Sequence, residues 1–160
     1  MILVSACLLG LDTKYDGKSN THELIIKYSG LGKYLPVCPE QLGGLTTPRL
    51  PVEIIGGAGD SVLANKAKAL DNSGRDVTCQ FKAGAEQLLK IINTVPISAA
   101  ILKERSPSCG VNQIYDGTFS HIVRPGQGVT AAVLMKTGLT LVSEEELTEE
   151  KLQQLLAADF

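Results

Sequence analysis

The sequence of 160 residues has no long apolar run and no marked excess of either charge. No stretch approaches the roughly 20 apolar residues that cross a bilayer, which excludes a membrane-spanning helix. The N-terminus lacks the basic region and apolar segment of a signal peptide, so we expect a cytoplasmic protein. Because the chain has 15 basic and 17 acidic residues, we expect no broad positively charged surface for nucleic acid.

Cysteine, in contrast, is present at four positions. The composition is 44% hydrophobic and 20% charged, which is typical of a globular chain. The length suits one domain over residues 1–160 with a sizeable core. In a reducing compartment, four cysteines indicate metal or catalytic chemistry before disulfides.

Short apolar segments with strand character alternate with helical patterns along the chain. Strands are predicted at 2–6, 34–37, 97–102 and 139–142. Helices are predicted at 21–28, 77–93 and 129–136, with a last one running from a capping box at Ser143 and Glu146 to about residue 157. The alternation predicts an α/β protein with a compact three-layer Rossmann-like fold and a mostly parallel sheet.

The segment 41–75 is rich in glycine and proline and has no long periodic run. Within it, residues 61–64 and 67–70 are predicted to pair as a small hairpin. A connection of this length without a clear helix is often functional. We therefore interpret it as a loop-rich flap, or insertion, over an active site.

Three of the cysteines follow predicted strands. Cys7 comes after the first strand, Cys38 after the second, and Cys109 lies in the loop after the third. In parallel sheets, ligands bind beyond the carboxyl ends of the strands, so we predict that the three thiols form one site. A cysteine can also fill a core as a small hydrophobe, but three at one sheet edge favour a site. Cys79, in the first turn of a helix, is left outside it.

Polar residues accompany these cysteines. Glu40 lies two residues after Cys38, and in an extended loop alternate residues share a side, so we expect its carboxylate near the same pocket, as a general acid or base. Arg49 in the flap could bind an anion or a carbonyl group of a ligand.

Ser106 and Ser108 share a tight loop with Cys109. A serine nucleophile needs an activating base, and neither His22 nor His121 lies in a motif that suggests a triad. The two serines therefore suit hydrogen bonding or proton relay. The preceding residues 103–105 have the pattern of a solvated charged run.

Several motifs occur in a specific order over nearly the whole chain. They are Ser5-Ala6-Cys7-Leu8-Leu9-Gly10, Tyr15-Asp16-Gly17, Cys38-Pro39-Glu40-Gln41-Leu42-Gly43-Gly44-Leu45, Thr47-Pro48-Arg49, Asp76-Val77-Thr78, Ser106-Pro107-Ser108-Cys109-Gly110 and Ile114-Tyr115-Asp116-Gly117-Thr118-Phe119. With these motifs the sequence resembles the bacterial 2-thiouracil desulfurase family, formerly a domain-of-unknown-function family.

The resemblance implies an enzyme with a 4Fe–4S cluster that removes sulfur from a thiolated pyrimidine. It implies that Cys7, Cys38 and Cys109 hold the cluster and leave one iron open for the substrate sulfur. Glu40 matches the family's catalytic acidic residue and Ser106 its catalytic serine. One departure is Thr13, where many relatives carry a further cysteine, which cautions against assigning the same substrate.

The resulting hypothesis is a desulfuration without net redox change. The substrate sulfur binds the open iron, Glu40 activates a water that adds to the thiocarbonyl carbon, and Ser106 relays a proton. Ser108 and Arg49 are expected to bind the substrate, a small thiolated nucleobase. Sulfur stays on the cluster or leaves as sulfide, and uracil is released.

Three other functions fit parts of the same pattern. The cysteines could form a zinc site, although no fourth protein ligand is obvious. They could belong to a sulfur-carrier or binding protein that needs no Glu40. A nucleotide-binding domain rests on fold analogy alone, because Gly126 and Gly128 do not form a G-x-G-x-x-G motif.

Overall fold

Strands and helices alternate in the computed structural model, which describes residues 1–159. The strands are β1 Ile2–Ser5, β2 Tyr34–Val37, β3 Val52–Ile55, β4 Lys68–Asp71, β5 Ala99–Leu102, β6 Gln113–Tyr115, β7 Val123–Pro125 and β8 Thr140–Ser143. The helices are α1 Glu23–Lys27, α2 Pro39–Leu42, α3 Gly59–Leu63, α4 Thr78–Thr94, α5 Val129–Met135 and α6 Glu149–Ala158. Short 3₁₀ turns occupy Ala6–Leu9, Ser29–Leu31 and Glu144–Glu146.

Four strands form the central sheet in the order β2-β1-β5-β8, and all neighbours are parallel. In the strand register, Leu3 of β1 lies opposite Leu35 of β2 on one side and Ala100 of β5 on the other. The α/β class and the parallel sheet predicted from the alternating pattern are confirmed. The prediction that the fold is Rossmann-like in detail stays a prediction.

Helices cover both faces of this sheet, because the side chains of β1 alternate between two cores. Ile2 and Val4 pack with residues of α1 and α6, whereas Leu3 packs with residues of α4 and α5. All three are fully buried. Burying each such side chain contributes roughly 1.5–3 kcal/mol. The sheet that contains β1 is the middle one of three layers, with helices on either side.

The hairpin predicted inside segment 41–75 is wrong. Residues 59–63 are helical, and β4 pairs instead with β3 as an antiparallel hairpin. The Ser61 hydroxyl accepts a hydrogen bond from the Ala58 N–H and so helps to start α3. Val52 and Ile54 of β3 bury one face of the hairpin in a third core with α4 and α5. The opposite face of β3 carries Glu53.

The start of the last helix also differs from the prediction. Ser143 accepts a hydrogen bond from Glu145 N–H in a 3₁₀ turn, and the helix itself begins at Glu149. Thr148 is the N-cap residue, with its hydroxyl accepting from Lys151 N–H at 3.1 Å. Within residues 1–159, no helix combines the length and apolar character needed to cross a membrane.

Two glycines bring the backbones of α2 and α4 into direct contact. A Cβ atom on Gly84 would lie 2.0 Å from the Pro39 carbonyl oxygen, and one on Gly43 would lie 2.0 Å from the Gln80 oxygen. Only glycine therefore permits this approach. Because α2 follows Cys38 and contains Glu40, the contact fixes both side chains relative to the sheet.

Gly84→Ala should destabilise the protein, although alanine favours a helix interior by up to about 1 kcal/mol over glycine. The overlap with Pro39 forces α2 outward, and overpacking of this kind costs about 1–3 kcal/mol. Denaturant unfolding measures the loss. Gly30→Ala is the matched control, since no atom lies within 4 Å of its added Cβ. Equal stability of the two variants would contradict the close contact.

Candidate active site

Three thiols from successive strand ends open onto one cavity. Cys7 lies in the 3₁₀ turn after β1, Cys38 is the residue before α2, and Cys109 lies in the loop after β5. The strand order places the crevice of the sheet between β1 and β5, where the connections leave in opposite directions. The three cysteines thus line one cavity, and their joint role as one site stays a prediction. Cys79 is exposed and lies outside the cavity.

All four cysteines are free. Burial raises the pKa of Cys109 to about 12, although hydroxyl groups of Ser5 and Ser108 oppose the shift. Burial also raises the pKa of Cys7 and of Cys38. The Cys38 side chain contributes to the raised pKa of both Cys7 and Cys109, which reflects the proximity of the three thiols. Without a bound cation they are neutral thiols at pH 7, and a metal centre would displace their protons.

The cavity has a volume of about 400 Å³. Within residues 1–159, no three His, Cys, Asp or Glu side chains lie close enough together to hold a single metal ion. The three thiols nevertheless line the same cavity. Soft thiolates around such a space suit a group larger than one ion.

Glu40 reaches the cavity from a helix and not from the extended loop expected from the sequence. It lies in α2, directly after the buried Pro39, and its side chain lines the cavity with that of Cys38. Its Oε2 accepts a hydrogen bond from Arg49 Nη2 at 2.6 Å. The two side chains are 13% and 7% exposed, so the ion pair is shielded from solvent.

Arg49 is held on several sides. Its Nη2 also donates to the Thr13 carbonyl oxygen at 2.9 Å, and its Nη1 donates to the Thr47 hydroxyl at 2.8 Å. Its buried Nε has no partner among the described residues. The guanidinium group therefore fixes Glu40, and Nε is the nitrogen of this group that is left without an acceptor within residues 1–159.

Ser106 and Ser108 lie in a tightly closed loop. Ser106 Oγ accepts from the backbone N–H groups of Ser108 at 3.2 Å and Cys109 at 3.1 Å. The two hydroxyl oxygens lie 3.1 Å apart, and Ser108 Oγ lies 3.7 Å from Cys109 Sγ. This places a hydroxyl pair beside a thiol. The two histidines make no hydrogen bond to either serine among the described residues, which agrees with the absence of a triad motif.

The segment 103–105 is not the solvated run that its charges indicated. Glu104 is 3% exposed, and its Oε1 accepts from the backbone N–H groups of residues 111, 112 and 113 at 2.9–3.0 Å. Lys103 Nζ binds Glu144 Oε1 at 2.5 Å, and Arg105 pairs with Glu145. Arg105 has a left-handed φ of 62°, which this network holds. Glu104 thus ties down the loop that carries Cys109.

Glu104→Gln should lower the free energy of unfolding by about 2 kcal/mol, since hydrogen bonds to a charged group contribute about 1.5–3 kcal/mol. Burial raises the pKa of Glu104, but hydrogen bonds from the Gln113 N–H, the Ser143 hydroxyl and other donors outweigh it and hold the pKa below its usual value. The stabilisation is therefore full above the unfolded pKa of about 4.3 and is lost as pH falls through the folded pKa.

Denaturant unfolding at several pH values checks this prediction. The difference between wild type and Glu104→Gln should be constant near pH 7 and shrink below about pH 4. Glu86→Gln is the control, because this residue is exposed on α4. A difference that does not depend on pH would contradict the role of the Glu104 charge.

Several further side chains line the cavity and were not predicted as site residues, among them Glu53, Tyr115 and His121. Glu53 comes from β3, while Tyr115 and His121 flank the turn between β6 and β7. The Tyr115 and His121 rings form an edge-to-face pair with centroids 6.2 Å apart. Tyr115 belongs to one of the ordered motifs, but that motif indicates a turn and no role at the cavity. Glu53 and His121 lie in no motif, and hairpin packing brings all three to the cavity.

Comparison with known proteins relates the whole chain to one family. The sequence model of the 2-thiouracil desulfurase family matches residues 2–146. Protein YbbK of Bacillus subtilis (strain 168) is 48% identical over 149 residues, which are 93% of this chain and 99% of YbbK. A solved structure of the [4Fe-4S]-dependent thiouracil desulfidase TudS is 39% identical, with a TM-score of 0.83, and 97% of each chain is covered.

The chain therefore belongs to the 2-thiouracil desulfurase family. The family identified from the ordered motifs is confirmed, and so is the expectation of an enzyme. The 4Fe–4S dependence named for TudS supports the predicted cofactor. The individual roles predicted for the site residues stay predictions.

Proposed function

We propose that this protein removes sulfur from a 2-thiouracil-like pyrimidine by means of a 4Fe–4S cluster bound to Cys7, Cys38 and Cys109. The observation that carries the proposal is the convergence of three thiols with Glu40 and Ser106 on one cavity in a member of this family. The name of the TudS structure supports both the cofactor and the substrate class.

The donor set fits such a cluster. Three cysteines are the soft ligands that iron–sulfur clusters use, and they lie in the connections that follow β1, β2 and β5. When bound, a cluster with three protein ligands supplies an iron without one, which acts as a Lewis acid toward sulfur. Burial raises the pKa of Cys38, and the backbone N–H groups of Gln41 and Glu40 oppose that shift without cancelling it.

The other residues handle water, protons and the ring. Glu40, fixed by Arg49, holds and deprotonates the water that attacks the thiocarbonyl carbon. Ser106 passes a proton through its neighbour Ser108, whose hydroxyl lies 3.1 Å away. Ser108 and the Nε of Arg49 contact the substrate. Water supplies the new oxygen, the carbon–sulfur bond breaks, and uracil and sulfide are the products.

Two other functions have less support. A single zinc ion is disfavoured by the spacing of the thiols, since no three metal-ligating side chains within residues 1–159 suit one ion. A sulfur-carrier or binding protein leaves the shielded Glu40–Arg49 pair at the cavity without a purpose.

The wider setting follows from the same proposal. Residues 1–160 form one domain, and segment 41–75, which supplies Arg49 and Glu53, covers the cavity as a flap. Three free thiols suit a reducing cytoplasm.

Anaerobic reconstitution with iron and sulfide, followed by a desulfuration assay, tests the function. The loaded protein should be brown, contain iron and acid-labile sulfide, and convert 2-thiouracil to uracil. Parallel assays with 4-thiouracil and 2-thiouridine define the substrate. Colourless protein that binds stoichiometric zinc under anaerobic conditions, with no uracil formed, would overturn the proposal.

A further inference from the structure

Glu53 is a buried carboxylate that the proposed chemistry does not use. It is 8% exposed, lies on β3 and lines the same cavity as the three cysteines. Its neighbours Val52 and Ile54 point into the core under the hairpin, so strand alternation turns Glu53 to the cavity side. No cation lies within 4.0 Å of it among the described residues, whereas Glu40 is paired with Arg49.

Only one of the two Glu53 oxygens is occupied by the protein. Oε1 accepts from the backbone N–H groups of Gly117 at 2.9 Å and Phe119 at 3.2 Å. Oε2 accepts no hydrogen bond within residues 1–159. The anchored oxygen fixes the direction of the carboxylate, and the second oxygen is left as an acceptor toward the cavity.

The anchor also positions an aromatic wall. Gly117 and Phe119 belong to the turn between Tyr115 and His121, and these two rings line the cavity. A buried carboxylate without a cation is costly unless donors satisfy it. The cavity therefore combines flat apolar surface with a directed acceptor, which is the combination that binds a planar ring bearing N–H groups.

We propose that Glu53 is a specificity residue that accepts a hydrogen bond from a ring N–H of the thiolated pyrimidine. The inference rests on the proposed function, because it names how that substrate is chosen. A carboxylate accepts but does not donate, so it selects a ring nitrogen that carries a proton. A ring whose corresponding nitrogen is alkylated cannot donate to Oε2 and places an alkyl group against the carboxylate, so it is rejected.

Glu53→Gln is the sharpest test, because the amide keeps the shape of the side chain. Its oxygen can still accept from Gly117 and Phe119, but an NH₂ group then faces the ring N–H. If the amide rotates, the NH₂ group opposes the two backbone donors instead, so either orientation loses a hydrogen bond. We expect binding of 2-thiouracil and of uracil to weaken about tenfold to a hundredfold.

Calorimetric binding and kcat/KM are measured on the loaded protein with 2-thiouracil, 1-methyl-2-thiouracil and 3-methyl-2-thiouracil. Wild type should reject one methylated ring, and Glu53→Gln should discriminate less between that ring and the parent. Iron and sulfide content should equal that of wild type. Glu53→Ala, which also frees the turn at residues 115–121, should lose more affinity than Glu53→Gln. Glu86→Gln is the surface control.

The outcomes separate this inference from the proposed function. Active wild type that binds all three rings equally, or a Glu53→Gln variant that matches wild type in binding, overturns the role of Glu53 alone. Wild type that binds 2-thiouracil without releasing uracil overturns the proposed function, and weaker binding by Glu53→Gln still supports the inference. Wild type that does not bind 2-thiouracil overturns both.

Discussion

Replacing Cys109 with serine should leave a folded protein that cannot hold its iron–sulfur cluster, and desulfuration should fall by at least about a hundredfold. Changes to groups that only support a metal ligand already cost roughly 10–100-fold, and Cys109→Ser removes a proposed ligand itself. Serine keeps the size of the side chain, which is 4% exposed, so the packing of the loop is preserved. Iron and acid-labile sulfide per chain, after anaerobic reconstitution, measure the loss directly.

Matched substitutions make this test specific. Cys7→Ser and Cys38→Ser should behave like Cys109→Ser, since the proposal gives the three thiols equal roles. Cys79→Ser should keep full iron content and activity, because Cys79 is exposed on α4 outside the cavity. If Cys109→Ser binds iron and sulfide as wild type does, Cys109 is not a ligand.

The sheet and the convergence of the cysteines could be predicted because they depend on local signals. Strands buried on both faces leave unbroken apolar runs, as in β1, where Ile2, Leu3 and Val4 are fully buried. A residue that follows such a run lies at a known edge of a parallel sheet. Chain order therefore places Cys7 and Cys38 at that edge, and it places the loop that carries Cys109 there too.

The opposite wall of the cavity could not be predicted in this way. Glu53 reaches it because β3 pairs with β4 and packs on α4 and α5, contacts that join distant parts of the chain. The burial of Glu104 likewise depends on backbone donors of residues 111–113 in a folded loop. The sequence alone does not indicate which charged residues have such partners, and most charged residues are exposed. A charged residue is therefore predicted to be exposed.

Glu40 lies at the cavity as predicted, but the local structure predicted for it was wrong. Alternation in an extended loop suggested that Glu40 and Cys38 share a side, but Glu40 lies in the short helix α2. The helix is fixed by the glycine contact with α4, where Gly43 and Gly84 allow the backbones to touch.

Glu40→Gln should lower kcat by about a hundredfold to ten-thousandfold, the usual contribution of a general acid or base, while the cluster is retained. The amide is nearly the same size and can still accept from Arg49 Nη2, so the loop that carries Arg49 should stay in place. What is lost is the ability to take a proton from water. Single-turnover release of uracil from 2-thiouracil measures the chemical step apart from binding.

Two further variants decide what Glu40 contributes. Arg49→Gln keeps the Glu40 carboxylate but removes the guanidinium group that orients it, so kcat should fall less than in Glu40→Gln, by about tenfold, with cluster content unchanged. Glu23→Gln on α1 changes a carboxylate outside the cavity and should leave turnover unaffected. A Glu40→Gln protein that carries a full cluster and releases uracil at the wild-type rate excludes Glu40 from proton transfer. Loss of the cluster in that variant would instead make Glu40 a structural neighbour of Cys38, and the water would then need another base among the groups lining the cavity.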